Sequence, residues 1–302
     1  MRRALQLALF GAGHVSPNPM VGAVIVAPDG RIIGEGFHRR YGEGHAEVNA
    51  FRSVSDVDVP LIPESTIYVT LEPCSHYGKT PPCAKLLCDR RIKRAVIGTV
   101  DPNPKVAGRG IRMLEEAGIE VRRGVLEKEC REINVRFFTA HTLHRPWILL
   151  KWAESADGFI ANADGTPVKL STPVTLELMH KERAMCDAIL VGTNTLLSDN
   201  PSLTTRLWPG NSPRPVIFDS PRLQSPEIRE RLVVMAHNPI ILDPSRTLAE
   251  NMQLLCSEYH ITSLMVEGGA QILRSFLDAG LYDSIRVEHS AVRLCNGIKA
   301  PR

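Results

Sequence analysis

A chain of 302 residues is long for one compact core and sufficient for two domains of ordinary size. With 43% hydrophobic and 23% charged residues it reads as a soluble globular protein, which excludes disordered and fibrous classes. A formal net charge of only +3 argues against a general nucleic-acid binder, and no apolar run is long enough to cross a bilayer.

Met1–Gly13 looks at first like a leader, but its apolar stretch is short. Leu5, Ala8 and Leu9 share one face, so it reads as the first amphipathic helix of a cytoplasmic protein. Val21–Ala27 and Arg31–His38 are predicted as a strand pair turning at Pro28-Asp29-Gly30. His45–Val54 follows as a helix with Ala46, Asn49 and Ala50 on a common side. Thr66–Cys74 is a β-branched strand running into a loop, and Pro81–Arg90 is a helix with proline in its first turn. RAVIGTVD, IRMLEEAG and IEVRRG continue as strand, helix and strand, and Leu126–Phe138 closes the first half as a helix. A boundary near Ala140–Arg145 separates domains at residues 1–142 and 146–302. The pattern then restarts, with Trp147–Ser155 as a buried-type strand and Val174–Met185 as a helix. DAILVG, RPVIFD and LVVMA are short apolar strands, and Ser263–Gly280 reads as strand, Gly-Gly turn and helix. Both halves are α/β.

The most informative residues are His45-Ala46-Glu47, Pro73-Cys74 and Cys83. Zinc prefers imidazole and thiolate, and a catalytic site keeps three protein ligands with a fourth position open to water. His45, Cys74 and Cys83 supply such a set. Glu47, two residues past His45, points elsewhere on the helix and is placed to take a proton from water and hand it to departing ammonia. Zinc deaminases combine a His-x-Glu with a Pro-Cys pair in this way. Alone, a His-Ala-Glu is usually solvated surface, and two cysteines nine residues apart are usually buried thiols. The three elements together, each at a strand end or helix start, outweigh those readings. The remaining cysteines, Cys88, Cys130, Cys186, Cys256 and Cys295, read as core residues, and the odd total of seven fits a reducing compartment. Eight residues, SHYGKTPP, separate Cys74 from Cys83 and bring Ser75, His76, Lys79 and Thr80 to the pocket mouth, donors suited to hydroxyls or phosphate.

These segments resemble the bifunctional riboflavin-biosynthesis deaminase/reductase family, RibD. The resemblance rests on Ser16–Val26, GEGFH, GHAEVNA, Tyr68–Cys83 and Asp101–Ile119, and continues through KWAESADGFIA, RAMCDAILVGTNTLLSDNPSLTTR and MVEGGAQI. It implies a cytidine-deaminase-like three-layer domain followed by a dihydrofolate-reductase-like domain. It further implies zinc-dependent deamination of a diaminopyrimidinone ribosylamino phosphate, then NADPH reduction of the ribosyl group to ribityl, by a homo-oligomer. By resemblance, Asn18, His38, Lys79, Asp101 and Asn103 contact substrate in the deaminase, and Arg183, Leu203, Arg206 and Glu267 do so in the reductase. Ala153, Thr195, Asp199, Ser220 and the stretch Gly269–Ser275, with Gly269, Ala270 and Gln271 at its start, contact NADPH. Where many members carry Ser and Trp, this chain has Pro167 and Lys169, and it stops at Gly297–Arg302 where members usually continue.

Three other readings have distinct expectations. A deaminase with an inactive reductase domain would not oxidise NADPH. A nucleic-acid deaminase needs a basic groove with aromatic platforms, which 5% aromatics and the absence of a Lys/Arg run disfavour. A zinc-stabilised binding module needs a closed four-ligand site, whereas only three ligands are evident.

Overall fold

The structure, a computed structural model, describes residues 1–77, 81–103, 106–225, 228 and 239–301. Lys79 and Thr80, and the predicted strand LVVMA (232–236), lie outside the described residues. The chain forms two compact units, Met1–Thr142 and Leu143–Arg302.

The first unit contains, in order, α1 (Arg2–Ala8), β1 (Gly22–Val26), β2 (Ile32–Phe37), α2 (Ala46–Arg52), β3 (Thr66–Leu71) and α3 (Cys83–Asp89). It continues with β4 (Arg94–Thr99), α4 (Arg109–Glu116), β5 (Glu120–Arg123), α5 (Glu127–Glu132) and α6 (Val135–Leu143). The strands form one sheet in the order β2-β1-β3-β4-β5, with β1 antiparallel to both neighbours and β3, β4 and β5 parallel. Side chains alternate across a strand. Ala23, Ile25, Ile67, Val69, Ala95 and Ile97 therefore meet Ala46 and Ala50 of α2, Leu87 of α3 and Leu114 of α4 on one face. Val24 points the other way, onto Ala4 and Leu7 of α1. Helices thus cover both faces, giving three layers.

The predicted helix Leu126–Phe138 is two helices, broken at Ile133-Asn134. At the break the buried Asn134 side chain binds the backbone of Met20, accepting from its N–H at 2.7 Å and donating to its carbonyl at 2.8 Å. That reciprocal pair ties down the segment that carries Asn18. Asn134→Ala strands a buried donor and acceptor at Met20, and is expected to lower stability by about 1–3 kcal/mol in denaturant unfolding. An unchanged midpoint would contradict this. The proline expected in the first turn of α3 stands one step earlier, as Pro82 at the N-cap.

The second unit contains β6 (Trp147–Glu154), β7 (Phe159–Ala161), α7 (Pro173–Ala184), β8 (Ala188–Leu190), α8 (Thr193–Asp199) and β9 (Arg214–Phe218). Among the described residues it continues with β10 (Ile240–Leu242), α9 (Leu248–Ser257), β11 (Ser263–Glu267), α10 (Ala270–Asp278), β12 (Ser284–His289) and β13 (Ile298–Lys299). Six strands form a parallel sheet ordered β10-β9-β8-β11-β6-β12. A parallel sheet is buried on both faces, which explains the near-continuous apolar run of β6. Ile148, Leu150, Leu264 and Val266 pack on Met252 and Leu255 of α9 and on Leu273 and Phe276 of α10. Leu149, Ile189, Ile217 and Met265 face Met179 of α7 on the other side. Of the cysteines expected in the core, Cys130 and Cys186 are buried and Cys88 and Cys256 half-buried, but Cys295 is exposed. It lies among loop residues near β13, outside both core clusters of this unit.

Candidate active sites

His45 is the N-cap of α2, extended in backbone and free of any capping bond from its ring, so the imidazole is available to the adjoining loop. Cys74 follows β3, and Cys83 opens α3, whose amide end faces Cys74: Cys83 N–H donates to Cys74 Sγ at 3.3 Å. Backbone donors at a helix start favour a thiolate there. His45 Nδ1 lies 3.5 Å from Cys74 Sγ and 3.3 Å from Cys83 Sγ, and the three donor atoms all fall within 4.8 Å of one another. A tetrahedral zinc with its usual bond lengths puts sulfur and nitrogen about 3.6 Å apart. The spacing and the donor types both fit that ion. Among the described residues no fourth His, Cys, Asp or Glu joins the cluster.

Hydrogen bonds from Cys83 and His45 hold the Cys74 thiol down at about 4, and the bond to Cys74 raises His45 to about 9. The bond to Cys74, together with burial, raises Cys83. A divalent cation displaces such protons on binding. Glu47, in the first turn of α2, is 3% exposed, and burial pushes its carboxyl up to about 7, with the Cys74 charge adding to the effect. A buried carboxyl beside the donor cluster can accept and return a proton.

His38 is buried beside His45, ring centroids 5.4 Å apart, and burial lowers its pKa. Its Nε2 lies 3.1 Å from Asn18 Nδ2, and its Nδ1 3.3 Å from the Gly44 carbonyl. Asp101 is buried at the end of β4, raised to about 6 by that burial, and its carboxylate accepts from Asn103 N–H at 2.8 Å. Ser75 is half-buried and His76 exposed. Sequence reasoning missed Glu72, just before Pro73-Cys74. It is buried and accepts from four backbone amides: Asp101 at 3.3 Å, Gly108 at 3.0 Å, Gly110 at 2.9 Å and Ile111 at 3.2 Å.

In the second unit a cavity of about 960 Å³ opens at the carboxyl ends of β6, β8, β9 and β11, where ligands of open parallel sheets bind. Ala153, Thr195, Asp199, Gly269, Ala270, Gln271 and Glu267 line it, as does Pro167. Gly268 and Gly269 have φ of +87° and +78°, and a Cβ on either would lie 3.2 Å from the Thr195 side chain. That turn sets backbone amides at the start of α10 against the cavity. Ser220 is not in the lining, its hydroxyl capping the short helix Pro221–Leu223, whereas Arg222 is. Arg183, Leu203 and Arg206 are also outside it. Arg183 is held by Glu267 at 2.7 Å and by the Thr204 carbonyl at 3.1 Å. The Arg206 N–H donates to His180 Nδ1 at 3.1 Å. Leu203 is buried with φ +53°. Lys151, which sequence reasoning also missed, is a buried cation in the cavity wall, 3.7 Å from Glu267 and 3.9 Å from Glu288.

The α/β unit with a His-Cys-Cys centre beside a buried Glu fits a zinc-dependent deaminase, and the parallel-sheet unit with a glycine-turn cavity fits a nucleotide-dependent reductase. Residues 1–99 match the cytidine and deoxycytidylate deaminase zinc-binding region, and residues 146–294 match the RibD C-terminal domain. The chain belongs to the RibD family, the bifunctional deaminases and reductases of riboflavin biosynthesis. It is 38% identical over 307 residues to the riboflavin biosynthesis protein RibD of Aquifex aeolicus, covering 95% of this chain and 85% of that one. With the Escherichia coli RibD it shares 35% over 321 residues, covering 95% and 85%. It resembles the crystal structure of a Thermotoga maritima diaminohydroxyphosphoribosylaminopyrimidine deaminase/5-amino-6-(5-phosphoribosylamino)uracil reductase with a TM-score of 0.87 and 37% identity. That match covers 99% of this chain and 88% of the other. Acinetobacter baumannii RibD gives a TM-score of 0.87 at 34% identity over the same shares.

Proposed function

We propose that residues 1–142 deaminate diaminohydroxyphosphoribosylaminopyrimidine and that residues 146–302 reduce the deaminated product from ribosyl to ribityl. The donor set His45, Cys74 and Cys83, with the buried Glu47 beside it, is the observation that carries this reading. When bound, zinc supplies Lewis acidity that brings the ionisation of water toward neutral pH, and NADPH supplies a hydride. Glu47 accepts the proton of the water that adds to the amine-bearing carbon, and returns it to the nitrogen as the C–N bond breaks and ammonia leaves. His38, kept neutral by burial, Asn18, Asp101 and Asn103 orient the pyrimidine, and Lys79 meets the phosphate. In the second unit Arg183 and Arg206 clamp the substrate phosphate, with Leu203 and Glu267 as further substrate contacts. The amides of Gly269, Ala270 and Gln271, together with Ala153, Thr195 and Asp199, hold the cofactor.

The enzyme acts in the cytoplasm as a homo-oligomer, on small molecules and not on nucleic acid. No helix among the described residues is long and apolar enough to cross a membrane. Purified protein is expected to hold one zinc per chain, to release ammonia from the pyrimidine and then to consume NADPH. Ammonia release without NADPH oxidation selects the deaminase-only alternative; neither activity, with zinc bound, overturns the proposal.

A further inference from the structure

We infer that Glu72 is a positioning residue that joins the metal donors to the loop that selects the substrate. The inference rests on the zinc reading above. Glu72 ends the run from β3 into Pro73-Cys74, and both of its carboxylate oxygens are in use. One takes the Gly110 and Ile111 N–H groups of the first turn of α4; the other takes Gly108 and Asp101 N–H. Asp101 leads directly into Asn103, so a single carboxylate spans the segment between Cys74 and the candidate substrate residues. A second contact enforces the same placement. A Cβ on Gly110 would sit 2.0 Å from the Pro73 carbonyl oxygen, so α4 is seated against the residue before Cys74.

The spacing of the donors is therefore set from outside the cluster. The four amides pull Glu72 toward α4, and the Pro73 carbonyl stops the approach. Cys74 Sγ is left 3.5 Å from His45 Nδ1, the separation that suits a tetrahedral ion. No acid–base role is assigned to Glu72. Its two oxygens accept four backbone N–H groups, all fixed in the fold, so the side chain is placed to hold position.

Glu72→Gln tests this. Its amide group would face two of the four N–H donors, losing those bonds and placing donor against donor. Groups that orient metal ligands typically govern affinity by about 10–100-fold. Zinc affinity, measured by chelator competition on the full chain, is expected to fall within that range. The visible absorption of the cobalt-substituted protein is expected to change in position and intensity. A merely structural role would lower the unfolding temperature and leave both readouts as in the parent, and that result would overturn the inference. Glu72→Asp keeps the charge but not the reach, and is expected to lie between parent and Glu72→Gln. If Glu72→Gln does not fold, the aspartate variant decides on the same two readouts, parental values sinking the inference. A parent protein that binds no cobalt at all overturns the metal reading first, and the inference with it.

Discussion

Glu47→Gln is expected to lower ammonia release by about 10²–10⁴-fold while leaving one zinc per chain. The carboxyl is 3% exposed, in the first turn of α2, and is not among the three atoms within 4.8 Å of one another that make the donor cluster. Glutamine keeps the volume and an acceptor oxygen but cannot take up and release a proton, so the loss should fall on kcat. A general acid–base group acts only as the bond changes, so substrate affinity should move far less than turnover. Removing a buried carboxyl that desolvation already disfavours should also leave stability unchanged or improved. Coupled ammonia and metal assays on the one preparation decide the matter. Loss of zinc together with activity would make Glu47 part of the metal's support. Full activity with zinc present would show that Glu47 does not carry the proton.

The contrast between Glu47 and Glu72 explains how much of the site the sequence made legible. His45, Glu47, Cys74 and Cys83 carry chemistry in their side-chain types, and each stands at a strand end or helix start that local patterning marks. Those signals are short-range. Glu72 adjoins the same motif, but its function comes from amides 29 to 39 positions away, and a backbone N–H carries no residue label. Asn134 was missed for the same reason, since its partner Met20 lies 114 positions earlier and the helical pattern reads straight through the break. In the second unit the Gly268-Gly269 turn was visible from its position between strand and helix. The polar interior of the cavity was not. Lys151 sits in a strand whose neighbours are apolar, and period-2 reasoning has no means of predicting that Glu267 and Glu288 will converge on it. The fold classes were more accessible than the networks, because α/β alternation repeats along the chain whereas each network forms only once the sheet does.

Lys151→Met is expected to destabilise the second unit by about 3–5 kcal/mol and to abolish measurable NADPH oxidation, while ammonia release by the first unit continues. Lys151 is buried on β6, the strand next to the β12 edge of the sheet, and its ammonium faces two carboxylates that are themselves 15% and 12% exposed. The two acids do not lose equally when it goes. Glu267 keeps the Arg183 guanidinium, at 2.7 Å and 3.0 Å. Glu288 is left with the hydroxyls of Ser171 and Thr175, which donate hydrogen bonds but carry no charge. The penalty should therefore concentrate on Glu288, a prediction that a second substitution can isolate. Glu288→Gln in the Lys151→Met background removes the unmatched charge and should recover much of the lost stability, a coupling between contacting residues that independent sites would not give. NADPH oxidation should not return with it, because the cavity still lacks its buried cation. Recovery of both would make the charge cluster a packing device. An additive stability loss in the double variant would mean that Lys151 acts mainly through Glu267, contrary to the distances to the flanking acids and to the arginine that Glu267 retains.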